Sequence, residues 1–263
     1  MPITVSGLCT QEQLQSKPFQ HWAERLGLAP DHIHRKVWEW CFITQALYER
    51  NLLQPGMSGL GFAVGTEPLT SLFCSLGASI SATDLATDVA EQKGWVESNQ
   101  HASRLEYLNA RELCDEEQFQ KNCSFRHVDM NNIPGDIGTY DFLWSSCALE
   151  HLGSLRFGER FIYNAMNCLN PGGFAVHTTE YNLSSNIFTV GRGKTVLYRR
   201  RDIEKIIRNL RKDGHVIDMD FTAGSLPYDK YIDVPPYKHN PHLKLRLGVF
   251  TVTSIGLIIQ RSR

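Results

Sequence analysis

The residues best suited to chemistry cluster in one short run, GLGFAVGTEPLTSLFCSLGASISATDL, from Gly59 to Leu85. Gly61, Ala63 and Gly65 are small residues at a turn, where a backbone can approach a ligand closely. Asp84 follows Gly65 by 19 residues, near the spacing at which a strand-end carboxylate accepts hydrogen bonds from a ribose diol. Asp129 and Met130 come directly after SFRHV. They suit an adenine ring, one as acceptor for its amino group and the other as a flexible apolar face. Glu150 and His151 stand together after YDFLWSSCAL. An imidazole there has the chemistry of a base near neutral pH, and the same pair could equally cap the helix that follows. Glu180, just past GGFAVHTT, falls where a strand opens into a cleft and is a second candidate base. His177 in that run reads as a strand residue with a satisfied hydrogen bond.

These positions need a scaffold that brings several strand ends to one edge. From Gly59 onward, short apolar runs alternate with helical patterns, the signature of a parallel sheet with right-handed crossovers. The pattern predicts strands over 59–63, 79–83, 124–128, 141–146 and 173–179, and helices over 67–76, 101–113, 156–168 and 202–212. In the last helix Ile203, Ile206, Ile207 and Leu210 share a face. Final strands are expected near 215–221 and 248–260. Residues 11–53 read as helical, with Val37, Cys41, Thr44 and Tyr48 on one face and a stop at Pro55 and Gly56. Such a segment either caps the open end of the sheet or packs on its outer face. The expected organisation is one structural unit, with a helical cap over 1–56 and the ligand-binding domain over 57–263. Residues 225–245, SLPYDKYIDVPPYKHNPHLKL, are irregular and suit a lid or binding loop.

Composition narrows the function classes. With 263 residues, 42% hydrophobic, 21% charged and a net charge of −1, the chain is an ordinary globular protein with no overall drive toward nucleic acid or anionic membrane. Its seven cysteines contain no CxxC pair, which argues against zinc and fits a reducing cytoplasm. The start lacks the basic and apolar regions of a secretory signal. Leu247–Ile259 is too short to span a bilayer and is rich in β-branched residues. Residues 192–212 carry nine Lys and Arg against Asp202 and Glu204. That run is either the solvated face of a helix or a surface for a phosphorylated acceptor, such as a nucleotide sugar or RNA.

Taken in order, WEW, GLGFAVGTEPL, ATDL, VDMNNIP, YDFLWSSCALEHLGS, LNPGGFAVHTTEYNL, YRRRDI, DVPPY and HLKL with TSIGLII resemble the class I S-adenosylmethionine-dependent methyltransferases. The likeness is to a bacterial group allied to polysaccharide and natural-product pathways. It implies a Rossmann-like α/β fold, a doubly wound, mostly parallel seven-stranded sheet, and S-adenosyl-L-methionine as cofactor. It also adds Leu85 and Ser146 to the cofactor site of Gly61, Ala63, Gly65, Asp84, Asp129 and Met130. Where the family carries an acid before the first small position, this chain has Gly61. The resemblance then places Glu67 near the cofactor's amino group instead; Glu67 could also be simply a first-turn acid favoured by the helix dipole.

Two other families share parts of the pattern. Gly59, Gly61 and Gly65 resemble a dinucleotide fingerprint, but Asp84 suits a free ribose diol better than a 2′-phosphate. TEYN and the Glu-His pair resemble the metal-dependent small-RNA 2′-O-methyltransferases, yet Cys147 stands at the first glutamate position and no late histidine matches. No metal is therefore expected. The resemblance leads to O-methylation of a small-molecule, glycan or nucleotide-sugar acceptor, with nucleic acid and membrane not expected as partners. The alternatives are RNA 2′-O-methylation and a noncatalytic S-adenosylmethionine-binding partner subunit.

Overall fold

The structure, a computed structural model, describes residues 4–29, 31–93 and 101–263; Pro30, inside the stretch expected to be helical, lies outside the described residues. The chain opens with a strand, β1 (Ser6–Leu8), and three helices, α1 (Gln11–Leu14), α2 (Lys17–Arg25) and α3 (Arg35–Tyr48). Strand and helix then alternate through β2 (Ser58–Phe62), α4 (Leu69–Ser75), β3 (Ser79–Asp84), α5 (Thr87–Lys93), α6 (Glu116–Asn122) and β4 (Cys123–His127). β5 (Tyr140–Ser146), α7 (Leu155–Ala165), β6 (Leu169–Asn182) and α8 (Arg200–Lys212) follow. The chain ends with β7 (Met219–Asp220), α9 (Pro227–Lys230), β8 (Leu245–Leu247) and β9 (Phe250–Gln260).

The strands form one sheet in the order β4-β3-β2-β5-β6-β9-β1-β7, with β8 paired to β9 as a hairpin. β2, β3, β4, β5 and β6 run parallel, and β9 is antiparallel to β6. Strand alternation sends successive side chains to opposite faces, and the two faces carry separate cores. Phe142, Trp144, Val176 and Ile258 meet α3 and α4 on one side. Leu143, Ala175, Leu257 and Ile259 meet α7 and α8 on the other. Glycine makes the first of these layers possible. A Cβ on Gly256 would lie 2.2 Å from the Phe42 ring of α3, so only a glycine lets that helix sit so close to β9.

Among the described residues, nine strands replace the seven expected. The extra strand beside β9 is β1, three residues too few to show a period, with Gly7 opposite Gly256. It holds the place next to β9, and the strand expected over 215–221 shrinks to Met219–Asp220, paired only with β1. The helix expected over 101–113 is a single 3-10 turn, Leu105–Asn109. There the Asn109 side chain binds the Cys114 carbonyl at 3.0 Å and accepts the Cys114 N–H at 3.3 Å, competing with helical bonds. Asp115 then caps the unexpected α6 by accepting from the amides of Glu117 and Gln118. On α3, Val37, Cys41 and Thr44 are buried as expected, while Tyr48 is exposed. Among the described residues, no helix is long and apolar enough to cross a membrane.

Candidate functional site

A cavity of about 600 Å³ opens where β2, β3, β4, β5 and β6 end. β2 sits where the strand order reverses, with β3 on one side and β5 on the other, the place where doubly wound sheets bind ligands. Ala63, Gly65, Glu67, Asp84, Leu85 and Asp129 all line it. So do Met130, Ser146, Glu150, His151 and Glu180. Gly61 does not. It lies inside β2, where a Cβ would come within 2.4 Å of Val64 and 2.5 Å of the Trp144 ring. Its glycine serves packing, and an acid at that position has no room.

Two non-glycine residues at the cavity edge hold left-handed backbone, Ala63 with φ of 48° after β2 and Cys147 with φ of 46° after β5. Such conformations are costly for residues with a Cβ and concentrate at functional turns. The turn at Ala63 presents the Gly65 N–H, which donates to Asp84 Oδ2 at 3.1 Å. Asp84 also accepts from the amides of Leu85 at 2.8 Å and Ala102 at 3.2 Å. The carboxylate is buried and held by three backbone donors, so it braces the cavity wall as well as facing the cavity. Burial pushes its pKa up, and those amides together with His101 oppose the rise. Beside it, Met130 is buried and Leu85 lines the wall, while Asp129 is exposed and accepts from the Asn131 N–H at 2.8 Å.

The other end of the cavity is a network of charges. Arg35 and Lys36, on the first turn of α3, reach in from the amino-terminal segment. Arg35 Nη2 lies 2.5 Å from Glu180 Oε1, and Nη1 lies 3.2 Å from Glu39 Oε1. Lys36 Nζ bridges Glu39 Oε2 at 3.1 Å and Glu67 Oε1 at 3.0 Å. Glu39 is fully buried and also accepts from the Ser254 hydroxyl and from Cys147 Sγ. Burial pushes the Glu39 carboxyl up, but Lys36, Arg35 and these donors more than offset it and leave it at about 2. Glu180 goes the other way. Burial, with Glu150 and Glu39 nearby, pushes it up to about 7 despite Arg35. Burial likewise raises Glu67, against the pull of Lys36. Ser146 Oγ donates to Glu67 Oε1 at 3.2 Å, tying the end of β5 to the turn after β2.

Glu150 is buried and accepts from the Thr179 hydroxyl at 2.8 Å. His151 Nδ1 lies 2.8 Å from the Lys194 carbonyl. Because a carbonyl only accepts, Nδ1 carries the proton and the ring lone pair sits on Nε2. His177 is buried within β6, Nδ1 bonded to the Ser145 hydroxyl at 2.8 Å, and burial holds it down to about 3. Among the described residues, two clusters bring three potential metal-binding atoms within 4.8 Å of one another: Cys147, Glu150 and Glu180, and His34, His239 and His242. In the first, Arg35 already supplies a cation, 2.5 Å from Glu180 and 3.7 Å from Cys147 Sγ. In the second, His34 Nδ1 accepts from the Lys36 N–H and His242 Nδ1 is bonded to Asp233, which leaves Nε2 of each ring.

No family model matches the chain, and neither does any curated protein. Solved structures do. A magnesium protoporphyrin IX methyltransferase from Synechocystis PCC 6803, crystallised with S-adenosylhomocysteine, superposes with a TM-score of 0.52 at 14% identity, covering 96% of this chain and 98% of that one. A methyltransferase from Methanosarcina mazei gives 0.50 at 12% identity, covering 81% of this chain and 96% of its own. The methyltransferase domain of a bacterial Hen1 also gives 0.50 at 12% identity, over 84% and 96%. The fold is that of the S-adenosylmethionine-dependent methyltransferases.

Within this methyltransferase fold, the sequence pattern points to the strand-end residues and misses the charges from α3. Arg35, Lys36 and Glu39 lie far from the glycine turn in sequence. The available signal was local: an acid inside an otherwise apolar helix, RKVWEWCFITQALY, with two cations one turn before it. A buried acid needs such partners. Tyr237, from the segment 225–245 expected to be irregular, and Leu245, where β8 begins, also line the cavity.

Proposed function

We propose that this chain is an S-adenosyl-L-methionine-dependent methyltransferase that methylates oxygen on a small-molecule or glycan-type acceptor. The observation that carries the reading is Asp84, a buried carboxylate at the end of β3 facing the turn at Ala63 and Gly65, with Leu85 and Met130 beside it in one cavity. Two amides occupy Oδ2 and one occupies Oδ1, which leaves Oδ1 an acceptor site for a ribose hydroxyl. Its negative charge repels a 2′-phosphate, which sets NADP apart.

When bound, the sulfonium cofactor supplies an electrophilic methyl carbon for in-line displacement. The chain's own part is positioning and proton removal. Leu85 and Met130 enclose the adenine, and Asp129 accepts from its amino group. His151 takes the acceptor's hydroxyl proton at Nε2, with Nδ1 anchored on the Lys194 carbonyl. Glu180 neighbours that acceptor position and is kept in place by Arg35. No divalent metal is required, because Arg35 already pairs with Glu180, one of the carboxylates that would bind one. β1 joins the sheet and α3 packs on its face rather than forming a separate cap, and the first turn of α3 delivers Arg35 and Lys36 to the cavity.

The test is binding by the purified protein. S-adenosylhomocysteine at ~100 times its dissociation constant should stabilise the fold by about 2.7 kcal/mol, with and without EDTA. A shift in Tm with NADPH alone, or one that depends on a divalent ion, would refute the reading.

A further inference from the structure

His34, His239 and His242 each place a possible metal-binding nitrogen within 4.8 Å of the others, and none of the three lines the cavity. The backbone sets two of these rings together. His34 and His242 pair in a parallel bridge, with the His242 N–H donating to the Ile33 carbonyl at 2.7 Å and the Arg35 N–H to the His242 carbonyl at 3.1 Å. Their rings stack with centroids 4.7 Å apart. Asp233, fully buried, organises the third. It accepts from His242 Nδ1 at 2.6 Å and from the backbone N–H groups of Lys238 and His239. One carboxylate thus fixes the His242 tautomer, leaving the lone pair on Nε2, and holds the turn that carries His239. In that turn His239 takes left-handed backbone with φ of 62°, a costly conformation that concentrates at functional sites. Its exposed ring lies 5.1 Å from that of His242.

We propose that His34, His239 and His242 bind a divalent transition metal of the zinc type, which clips residues 233–242 to the start of α3. Three imidazoles suit zinc, with water in the fourth position on the exposed His239 side. Magnesium and calcium prefer oxygen ligands and are not expected there. The bond from His242 to Asp233 is the support a metal-binding imidazole usually has, its second ring nitrogen donating to a carboxylate. The cost falls on His34. Its Nδ1 accepts from the Lys36 N–H at 3.0 Å, so Nε2 holds the ring proton. Taking the metal at either nitrogen breaks that one helix-cap bond and releases no proton from the ring. The clip acts on the cavity through Tyr237, whose ring meets those of His239 and His242 edge-on and which itself lines the cavity. The metal steadies one wall and takes no part in methyl transfer, so the clip does not rest on the cofactor reading above.

The test is titration of the full chain, stripped with EDTA and dialysed, with ZnCl2, CoCl2 and MgCl2. Zinc should bind at one ion per chain and raise Tm, and magnesium should do neither. His239→Ala should weaken zinc by roughly 10-fold or more, at least the loss that follows removal of a supporting partner. Because His239 is exposed, the metal-free Tm of this variant should equal that of wild type. His239→Cys should restore binding, and its cobalt complex should gain a sulfur-to-metal charge-transfer absorption that the wild-type complex lacks. Unchanged zinc affinity in His239→Ala, a His239→Cys cobalt complex without that absorption, or wild-type protein that binds no zinc would each overturn the site. S-adenosylhomocysteine affinity, measured on the same samples, should be equal with and without zinc. Failure to bind it in both would overturn the cofactor reading while the zinc titrations still decide the clip.

Discussion

The two ends of the cavity are built on different principles. At the end beside β3, proposed above to take the ribose, Asp84 is held by amides of Gly65, Leu85 and Ala102. Strand ends set that geometry, and few other charges are involved. At the charged end, Arg35, Lys36, Glu39, Glu67 and Glu180 hold one another, drawn from α3, the turn after β2, and β6. The first end can lose a partner and keep its shape. The second is a mutual structure, in which removing one member leaves another buried and uncompensated. Binding should therefore be governed mainly by the first end, and stability, pH dependence and turnover by the second.

The largest effect expected is on turnover. His151→Ala should lower the rate by ~10²–10⁴-fold, the usual loss of a general base, with cofactor affinity little changed if His151 serves the acceptor as proposed. Steady-state kinetics beside calorimetry decides it. Near-normal turnover with a lowered Tm would assign His151 to holding the loop that carries Lys194.

Next comes Arg35→Met, which breaks the charged end directly. Glu180 and the buried Glu39 lose their shared cation, a type of loss that costs about 3–5 kcal/mol. Urea denaturation measures it. A cost below about 1 kcal/mol would mean that the two ends do not differ in the way described.

A smaller and more specific signature lies in pH. Glu180 is raised from 4.5 to about 7 by burial. Between those values the folded state holds a proton that the unfolded state releases, so stability from this group falls as pH rises through the window. Each pH unit of that window is worth about 1.36 kcal/mol, so the whole fall is about 3 kcal/mol. His34 and His177, both held down to about 3 by burial, act in the opposite sense, with stability lost as pH falls below their unfolded value. The difference between wild type and Glu180→Gln isolates the glutamate. That difference should move by about 3 kcal/mol from pH 4.5 to 8, and a constant difference would show Glu180 ionised throughout.

The same contrast explains what the sequence could reveal. The end at Asp84 is encoded locally: apolar runs of strand length, a small-residue turn, and acids at fixed spacing, so the strand-end positions of Asp84, Leu85, Asp129 and Met130, all lining the cavity, were legible. β3 and β5 also fall close to the expected spans. The charged end depends on contacts such as Glu39 with Ser254, 215 residues apart, and no local pattern encodes them. Gly61 shows the converse error. A glycine at the turn reads as ligand-facing, yet only the Trp144 ring across the strand pair reveals that it is there for packing. Short elements were lost for a related reason: β1 has three residues and β7 has two, and neither is long enough to show a period.

The most direct test of the account is isothermal titration of S-adenosylhomocysteine into wild type and Asp84→Asn. Asn keeps the side chain's shape and one acceptor oxygen for the surrounding amides while removing the charge that accepts the ribose diol. Losing that charge-assisted bond should cost about 1.5–3 kcal/mol of binding, a loss of roughly tenfold or more in affinity, with NADPH giving no heat in either protein. Unchanged affinity in Asp84→Asn would contradict the account, because the carboxylate at the end of β3 would then have no part in holding the cofactor.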